Sequence, residues 1–157
     1  MKNVCLRISK QFLLLIIVVL TIFGANNSFA AEKSIVGKWQ TFNEEGQQTS
    51  VVQIWKEGDE FRGKIIKLMN TAKPPKDVVC AACEGDFKDK KLLGMTTLWG
   101  LKQDGDEWEN GKILVPKQGK VFNCDASLSP DGQQLNLRVY KGSPILGKTR
   151  TWVRQPN

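Results

Sequence analysis

The chain of 157 residues carries 23 Lys and Arg against 16 Asp and Glu, a formal net charge of +7, and it contains no His. Without histidine, Ser-His-Asp and Cys-His catalysis and His-ligated zinc or haem sites are excluded. The length suits a single domain.

The first thirty residues have the order of a secretory signal peptide. A basic start precedes an apolar run over residues 12–23, which is short for a membrane span. The small residues Ser28 and Ala30 stand at the −3 and −1 positions of a cleavage site. We expect cleavage after Ala30, a periplasmic or secreted protein, and a single domain over residues 31–157 with no transmembrane span. The alternative is an uncleaved anchor.

The charge of the mature chain is ordinary for a soluble domain. Removal of Lys2, Arg7 and Lys10 lowers the net charge from +7 to +4. The remaining basic residues are spread along the chain, with no cluster longer than 88–91. No nucleic-acid partner is therefore expected. Weak attraction to an anionic membrane surface stays open.

Alternating apolar and polar residues predict strands throughout the mature chain and no convincing helix. Eight short strands joined by tight turns favour an all-β, antiparallel up-and-down barrel, because closure removes the sheet edges. The acidic stretch 104–109 is interpreted as a hairpin tip and not a calcium site. The predicted strands are residues 35–42, 49–56, 60–68, 96–102, 112–115, 121–128, 135–140 and 148–154.

One long connection, from Leu68 to Leu93, interrupts the series of short turns. It contains Pro74-Pro75 and the pair Cys80 and Cys83. Connections of this length are uncommon and are often lids or binding loops. A surface loop tied down by its cysteines is an equal alternative.

Several stretches together resemble the bacterial domain-of-unknown-function family 2147. They cover nearly all of the mature chain in order. The resemblance implies an exported protein with a lipocalin-type eight-stranded barrel, and it brings no established activity. Val115 and Lys117 stand where acidic residues are usual in the family. The matching stretches are IVGKW at 35–39, CAACEG at 80–85, KLLGMTTLWGL at 91–101, GKIL at 111–114 and LGKTRTW at 146–152.

Gly37-x-Trp39 resembles the first-strand signature of the lipocalin superfamily. In that signature the indole closes one end of the barrel and a cation from the last strand lies across it. Alternation places Arg150, Trp152 and Arg154 on one face of the last predicted strand. Either Arg154 or Arg150 is therefore the expected partner of Trp39, in a structural role.

Three cysteines remain after cleavage, and an exported protein meets an oxidising compartment. Cys124 shares the apolar face of its predicted strand with Phe122, whereas Cys80 and Cys83 lie three residues apart in the long connection. We favour a disulfide between Cys80 and Cys83 with Cys124 free; a bridge to Cys124 is the alternative. A metal site is not expected from three thiols. A redox Cys-x-x-Cys is disfavoured because no strand and helix flank it.

The leading functional hypothesis is a non-enzymatic, exported barrel that binds a small, mainly apolar ligand or another envelope component, without a cofactor. Trp55, Trp99 and Phe122 are the candidate ligand-lining residues. The alternative is a barrel filled by its own side chains that serves as an envelope protein-interaction module. An enzyme that uses Lys or carboxylate chemistry is a third class, and no catalytic residue stands out for it.

Overall fold

The computed structural model describes residues 33–156; the expected signal peptide and its cleavage site lie outside the described residues. Eight antiparallel strands pair in sequence order and close into a barrel, which confirms the predicted fold class. The described residues 33–156 form one compact unit. The strands are β1 (Gly37–Phe42), β2 (Gln48–Glu57), β3 (Glu60–Leu68), β4 (Thr96–Asp104), β5 (Glu107–Val115), β6 (Lys120–Leu128), β7 (Gln134–Tyr140) and β8 (Lys148–Arg154).

In the part of the chain that the structure describes, helical structure is confined to short 3₁₀ turns in the connections, at Pro75–Asp77, Gly85–Phe87 and Pro144–Leu146. Within residues 33–156, no helix has the length and apolar character needed to cross a bilayer.

The strand order gives the barrel two distinct ends. Consecutive antiparallel strands place alternate connections at opposite ends. The tight turns 58–59, 105–106 and 129–133 lie at one end with the start of β1, and we call this the Trp39 end. The connections 43–47, 69–95, 116–119 and 141–147 lie at the other, which we call the long-loop end.

Large apolar side chains fill the barrel interior. Trp108 is fully buried and meets the Phe61 ring edge-on, with ring centroids 6.2 Å apart. Full burial of one large apolar side chain contributes about 1.5–3 kcal/mol, so this core supplies much of the drive to fold. The buried members of the core are Ile35, Trp39, Val52, Ile54, Phe61, Ile65, Leu98, Leu101, Trp108, Ile113, Cys124, Ala126, Leu135, Leu137 and Trp152.

Strand β5 is longer than its pattern predicted, because it begins at Glu107 and not at Lys112. The pairing with β6 shifts between Trp108 and Gly111, and Asn110 between them has a positive φ of 63°. This bulge breaks the alternation that marks a strand in the sequence. A Cβ at Gly111 would lie 2.6 Å from the Leu101 side chain, so glycine is required where the bulge meets the core.

Candidate functional site

The Trp39 end of the barrel is closed by one indole. Trp39 is fully buried, and its Nε1–H donates a hydrogen bond of 2.8 Å to the Ile35 carbonyl. The guanidinium carbon of Arg154 lies 4.2 Å from the Trp39 ring centroid. Gly37 makes room for this arrangement, since a Cβ there would lie 2.8 Å from Arg154 Nη1. Of the residues expected to close the barrel, Gly37, Trp39 and Arg154 therefore meet here.

Arg154 also ties three backbone segments together at this end. Its guanidinium donates to the carbonyls of Ser34 at 2.9 Å, Val36 at 3.1 Å and Gly132 at 2.8 Å. Burial lowers the pKa of Arg154. One side chain thus joins the segment before β1, the β6–β7 turn and the indole at the Trp39 end.

Arg150 is the other arginine of β8, and it lies towards the long-loop end. Its Nη2 donates a hydrogen bond of 2.8 Å to Oε1 of Glu44 in the β1–β2 connection. This bond, and after it the positive charges of Arg150 and Lys148, lower the pKa of Glu44. Trp152, between the two arginines, is buried in the core. Arg154 is thus the partner of Trp39, and Arg150 belongs to an ion pair elsewhere.

Buried hydroxyl groups line the inner surface near the long-loop end. Thr41 Oγ1 lies 2.7 Å from Ser50 Oγ and 2.9 Å from Thr49 Oγ1. Mutual hydrogen bonding satisfies these groups inside the barrel. Partly buried apolar side chains also pack against the core, among them Leu68, Phe122 and Val139 on the strands and Leu92 in the long connection. These apolar side chains and the core occupy the interior of the barrel at this end.

The predicted disulfide lies within the long connection, which packs on the outside of the barrel. Cys80 and Cys83 are bonded and buried, which confirms this pairing, and Cys124 is a free thiol buried in the core. The disulfide packs with Met95 and Leu114 in a second apolar cluster. Burial, and then the charge of Asp125, raise the pKa of the Cys124 thiol to about 12.

An open groove of about 450 Å³ runs along the end of the long connection, and we call it the loop groove. Ligand pockets commonly enclose roughly 300–1,000 Å³, so this groove is large enough for a small molecule. A second hollow, of about 220 Å³, lies around Asn123 and Tyr140 and has a polar lining. The loop groove is lined by Phe87, Lys90, Lys91, Leu93, Gly94, Met95 and Thr96.

The three expected ligand-lining residues occupy different surroundings. Phe122 packs against the barrel core. Trp99 lies on the outer face, where its ring stacks on Phe87 with centroids 5.9 Å apart. Trp55 lies on the outer face of β2, and the Lys64 ammonium is 5.6 Å from its ring centroid. The structure therefore does not bring these three residues together. Trp99 contacts Phe87, which in turn lines the loop groove.

Sequence reasoning did not single out the groove residues Leu93 and Met95. Both lie in the stretch 91–101 that resembles the family, and Leu93 ends the unusually long connection, but neither signal assigns them to a groove. Among residues 33–156, no group of three or more His, Cys, Asp or Glu side chains is placed to hold a metal ion.

A closed antiparallel barrel with one end sealed by a Trp–Arg contact has the architecture of a lipocalin-like protein. It is similar to a solved Helicobacter pylori protein described as belonging to the lipocalin family, with a TM-score of 0.68 and 19% identity over 79% of this chain and 84% of that one. No curated protein matches this sequence. The profile of the bacterial family DUF2147, described as an uncharacterized protein conserved in bacteria, matches residues 37–154. The chain belongs to that family.

Proposed function

We propose that this protein is an exported, non-enzymatic binding protein whose small, mainly apolar ligand sits in the loop groove. The observation that carries this proposal is the groove itself, because the large side chains of the core occupy the barrel interior. Phe87, Leu93 and Met95 offer apolar contact. Lys90 and Lys91 beside them suit a ligand with an anionic group.

The groove is preformed by backbone hydrogen bonds. Cys80 N–H donates to the Lys90 carbonyl and Leu92 N–H donates to the Val78 carbonyl, both at 2.9 Å. Gly94 N–H donates to the Ile65 carbonyl at 2.8 Å and so anchors the segment on β3. A wall that is already ordered loses little conformational entropy when a ligand binds.

Binding is tested by titration with anilinonaphthalene sulfonate, a probe that is apolar and anionic. Leu93 is 38% exposed, so Leu93→Asp places a charge in the groove without opening the core. We expect this variant to bind the probe at least about tenfold more weakly, the equivalent of about 1.4 kcal/mol.

Val121→Asp is the matched control, since Val121 is a 44% exposed aliphatic residue on β6 that does not line the groove. It is expected to bind like the wild type. Equal affinity in both variants, or no binding by the wild type, contradicts the groove as the binding site.

Export is supported by the disulfide between Cys80 and Cys83, since such bonds persist in oxidising compartments. The proposal includes cleavage after Ala30 and a periplasmic or secreted location. N-terminal sequencing of protein extracted from the cell envelope should then begin at Ala31. A chain that still begins at Met1 contradicts cleavage.

A second candidate function is a protein-interaction module with no ligand. The filled interior favours it, because Trp39, Trp108 and Trp152 leave the core densely occupied. Native mass spectrometry of protein purified from its own envelope separates the two candidates. A co-purifying small molecule supports the binding protein. A complex with another protein that contains no small molecule supports the interaction module.

A further inference from the structure

Two large aliphatic side chains project into solvent at the tip of the β7–β8 connection. Ile145 and Leu146 are 85% and 84% exposed, far more than the other exposed large apolar residues of the described chain. Both belong to the short 3₁₀ turn Pro144–Leu146 at the long-loop end. Single exposed aliphatic residues are common on protein surfaces. An adjacent pair at the tip of a connection is a small apolar patch, and such patches mark interaction sites.

The tip is held in place by its own neighbours. Arg138 donates through Nε to the Pro144 carbonyl and through Nη2 to the Ile145 carbonyl, both at 2.9 Å. Ser143 Oγ accepts a hydrogen bond from the Ile145 N–H at 3.3 Å. A Cβ at Gly147 would lie 2.8 Å from the Val139 carbonyl oxygen, so the chain returns close against β7. The aliphatic pair is therefore presented in a fixed geometry.

The connections nearest to this tip along the chain carry lysines, while the long connection 69–95 at the same end holds five Lys against four Asp and Glu. The connections 116–119 and 141–147 carry Lys117 and Lys141 and no acidic residue, and Lys120 and Lys148 flank them on the strands. Glu44 in the β1–β2 connection is already paired with Arg150, which leaves Glu45 as the unpaired acid of that connection.

The Trp39 end has the opposite character. Its three turns and the residues that flank them carry seven acids, and Lys33, Lys38, Arg62, Lys102 and Arg154 at the same end offset part of this charge. The net charge of the long-loop end is therefore the more positive of the two, so an anionic surface favours contact with that end. The acidic residues are Glu57, Asp59, Glu60, Asp104, Asp106, Glu107 and Asp131.

We infer that the long-loop end docks on the surface of an anionic phospholipid bilayer. Ile145 and Leu146 enter the boundary between headgroups and acyl chains, while Lys117, Lys141 and Lys148 meet the headgroups. A two-residue apolar tip is small beside the roughly 800 Å² per partner of a stable protein interface, whereas a fluid lipid surface closes around a tip of any shape. The bilayer is for this reason the occupant that fits.

Vesicle flotation tests this inference with a chain that begins at Ala31, because the apolar run 12–23 would itself bind lipid. We expect the wild type to float with vesicles that contain phosphatidylglycerol and to float much less with pure phosphatidylcholine. The variant Ile145→Ser/Leu146→Ser should bind the anionic vesicles at least about tenfold more weakly, since it loses the apolar insertion.

Val36→Ser is the matched control, because Val36 is a 43% exposed aliphatic residue at the Trp39 end. It should bind vesicles like the wild type. Raising the salt concentration should weaken binding of all three proteins, because screening shortens the reach of the lysine charges.

Absence of wild-type flotation with anionic vesicles at low salt overturns the inference, even if the protein captures an envelope protein. Equal binding by the Ile145→Ser/Leu146→Ser variant also overturns it. The probe titration of the loop groove is independent of these results, because Ile145 and Leu146 do not line that groove. Failure of one proposal is therefore distinguishable from failure of the other.

Discussion

Arg154 and Trp39 are cross-strand partners at the junction of β8 with β1, and the guanidinium carbon lies 4.2 Å from the indole centroid. The contact joins the last strand of the chain to the first. Because one of its members is a planar cation and the other a large aromatic ring, the pair combines stacking with burial. Its energetic coupling can be measured directly.

A double-mutant cycle in urea measures that coupling. Trp39→Ala removes a fully buried ring and should lower the free energy of unfolding by about 3–5 kcal/mol. Arg154→Ala should cost about 2 kcal/mol through lost stacking and lost hydrogen bonds to backbone carbonyls. The two losses should fall short of additivity by at least about 0.5 kcal/mol.

The control cycle pairs Trp39→Ala with Arg150→Ala, whose side chain is bonded to Glu44 at the other end. These two losses should add. A cycle with zero coupling between Trp39 and Arg154 contradicts the observed contact.

Gly119 tests the packing of the long connection on the barrel. It has a positive φ of 66°, and a Cβ there would lie 1.8 Å from the Ala82 carbonyl oxygen. Gly58 has nearly the same φ, 65°, with nothing within 4 Å of its added Cβ. Both Ala variants suffer backbone strain of about 1–2 kcal/mol. Gly119→Ala should lose at least about 2 kcal/mol more, because it also displaces the connection.

Thermal and urea unfolding of the two variants give this comparison. Equal losses in stability would show that the β5–β6 turn does not contact the disulfide segment.

The Cys124 thiol should be unreactive in the native protein. Its pKa is raised to about 12, first by burial and then by the charge of Asp125. At pH 8 about one molecule in ten thousand then carries the reactive thiolate. A chain that begins at Ala31 should release no thionitrobenzoate from Ellman's reagent when native and one equivalent in urea. Release of three equivalents in urea without reductant contradicts the disulfide between Cys80 and Cys83.

The same thiol makes stability fall at alkaline pH. Because its pKa in the folded state is above the ordinary value of 9.0, its contribution is complete below pH 9 and is lost as the pH rises towards 12. Cys124→Ala should flatten the stability curve over that range.

The ion pair at the long-loop end is tested by a carboxyl titration followed by NMR. Glu44 has a pKa below its ordinary value of 4.5, mainly because Arg150 donates a hydrogen bond to it. The stabilisation is present above that ordinary value and is lost as the pH falls through the lowered pKa. Arg150→Ala should raise the pKa of Glu44, and Lys148→Ala should raise it less. An unchanged pKa in Arg150→Ala contradicts the pair.

The sequence predicted the strands well because alternation and turn residues are local signals. Prediction missed the first part of β5, which contains Trp108. The bulge at Asn110 and Gly111 interrupts the alternation of apolar and polar residues there. The choice between Arg150 and Arg154 also stayed open. Both lie on the same face of β8, and only the register with β1 shows which one reaches Trp39.

The candidate site was harder to predict than the fold. Trp99 was expected to line a ligand site, yet its ring lies on the outer face of β4, where the long connection folds back and covers it with Phe87. Nothing in the local pattern shows which strand a connection of this length will cover. The groove beside Leu93 and Met95 arises from that non-local packing.

The seam between β1 and β8 has a consequence for folding kinetics. The seam is short, because only Trp39 with Arg154 and Gln40 with Val153 are paired across it. Strands β1 and β2, in contrast, are paired along the whole of β1, from Gly37 with Ile54 to Phe42 with Gln48. The Arg154 hydrogen bond to the Val36 carbonyl spans 118 residues of chain. Closing so large a loop carries the greatest entropy cost of any contact in the barrel, while each hairpin forms locally. We expect the hairpins to assemble first, the seam to close after the transition state, and its amides to exchange with solvent before those of β6 and β7.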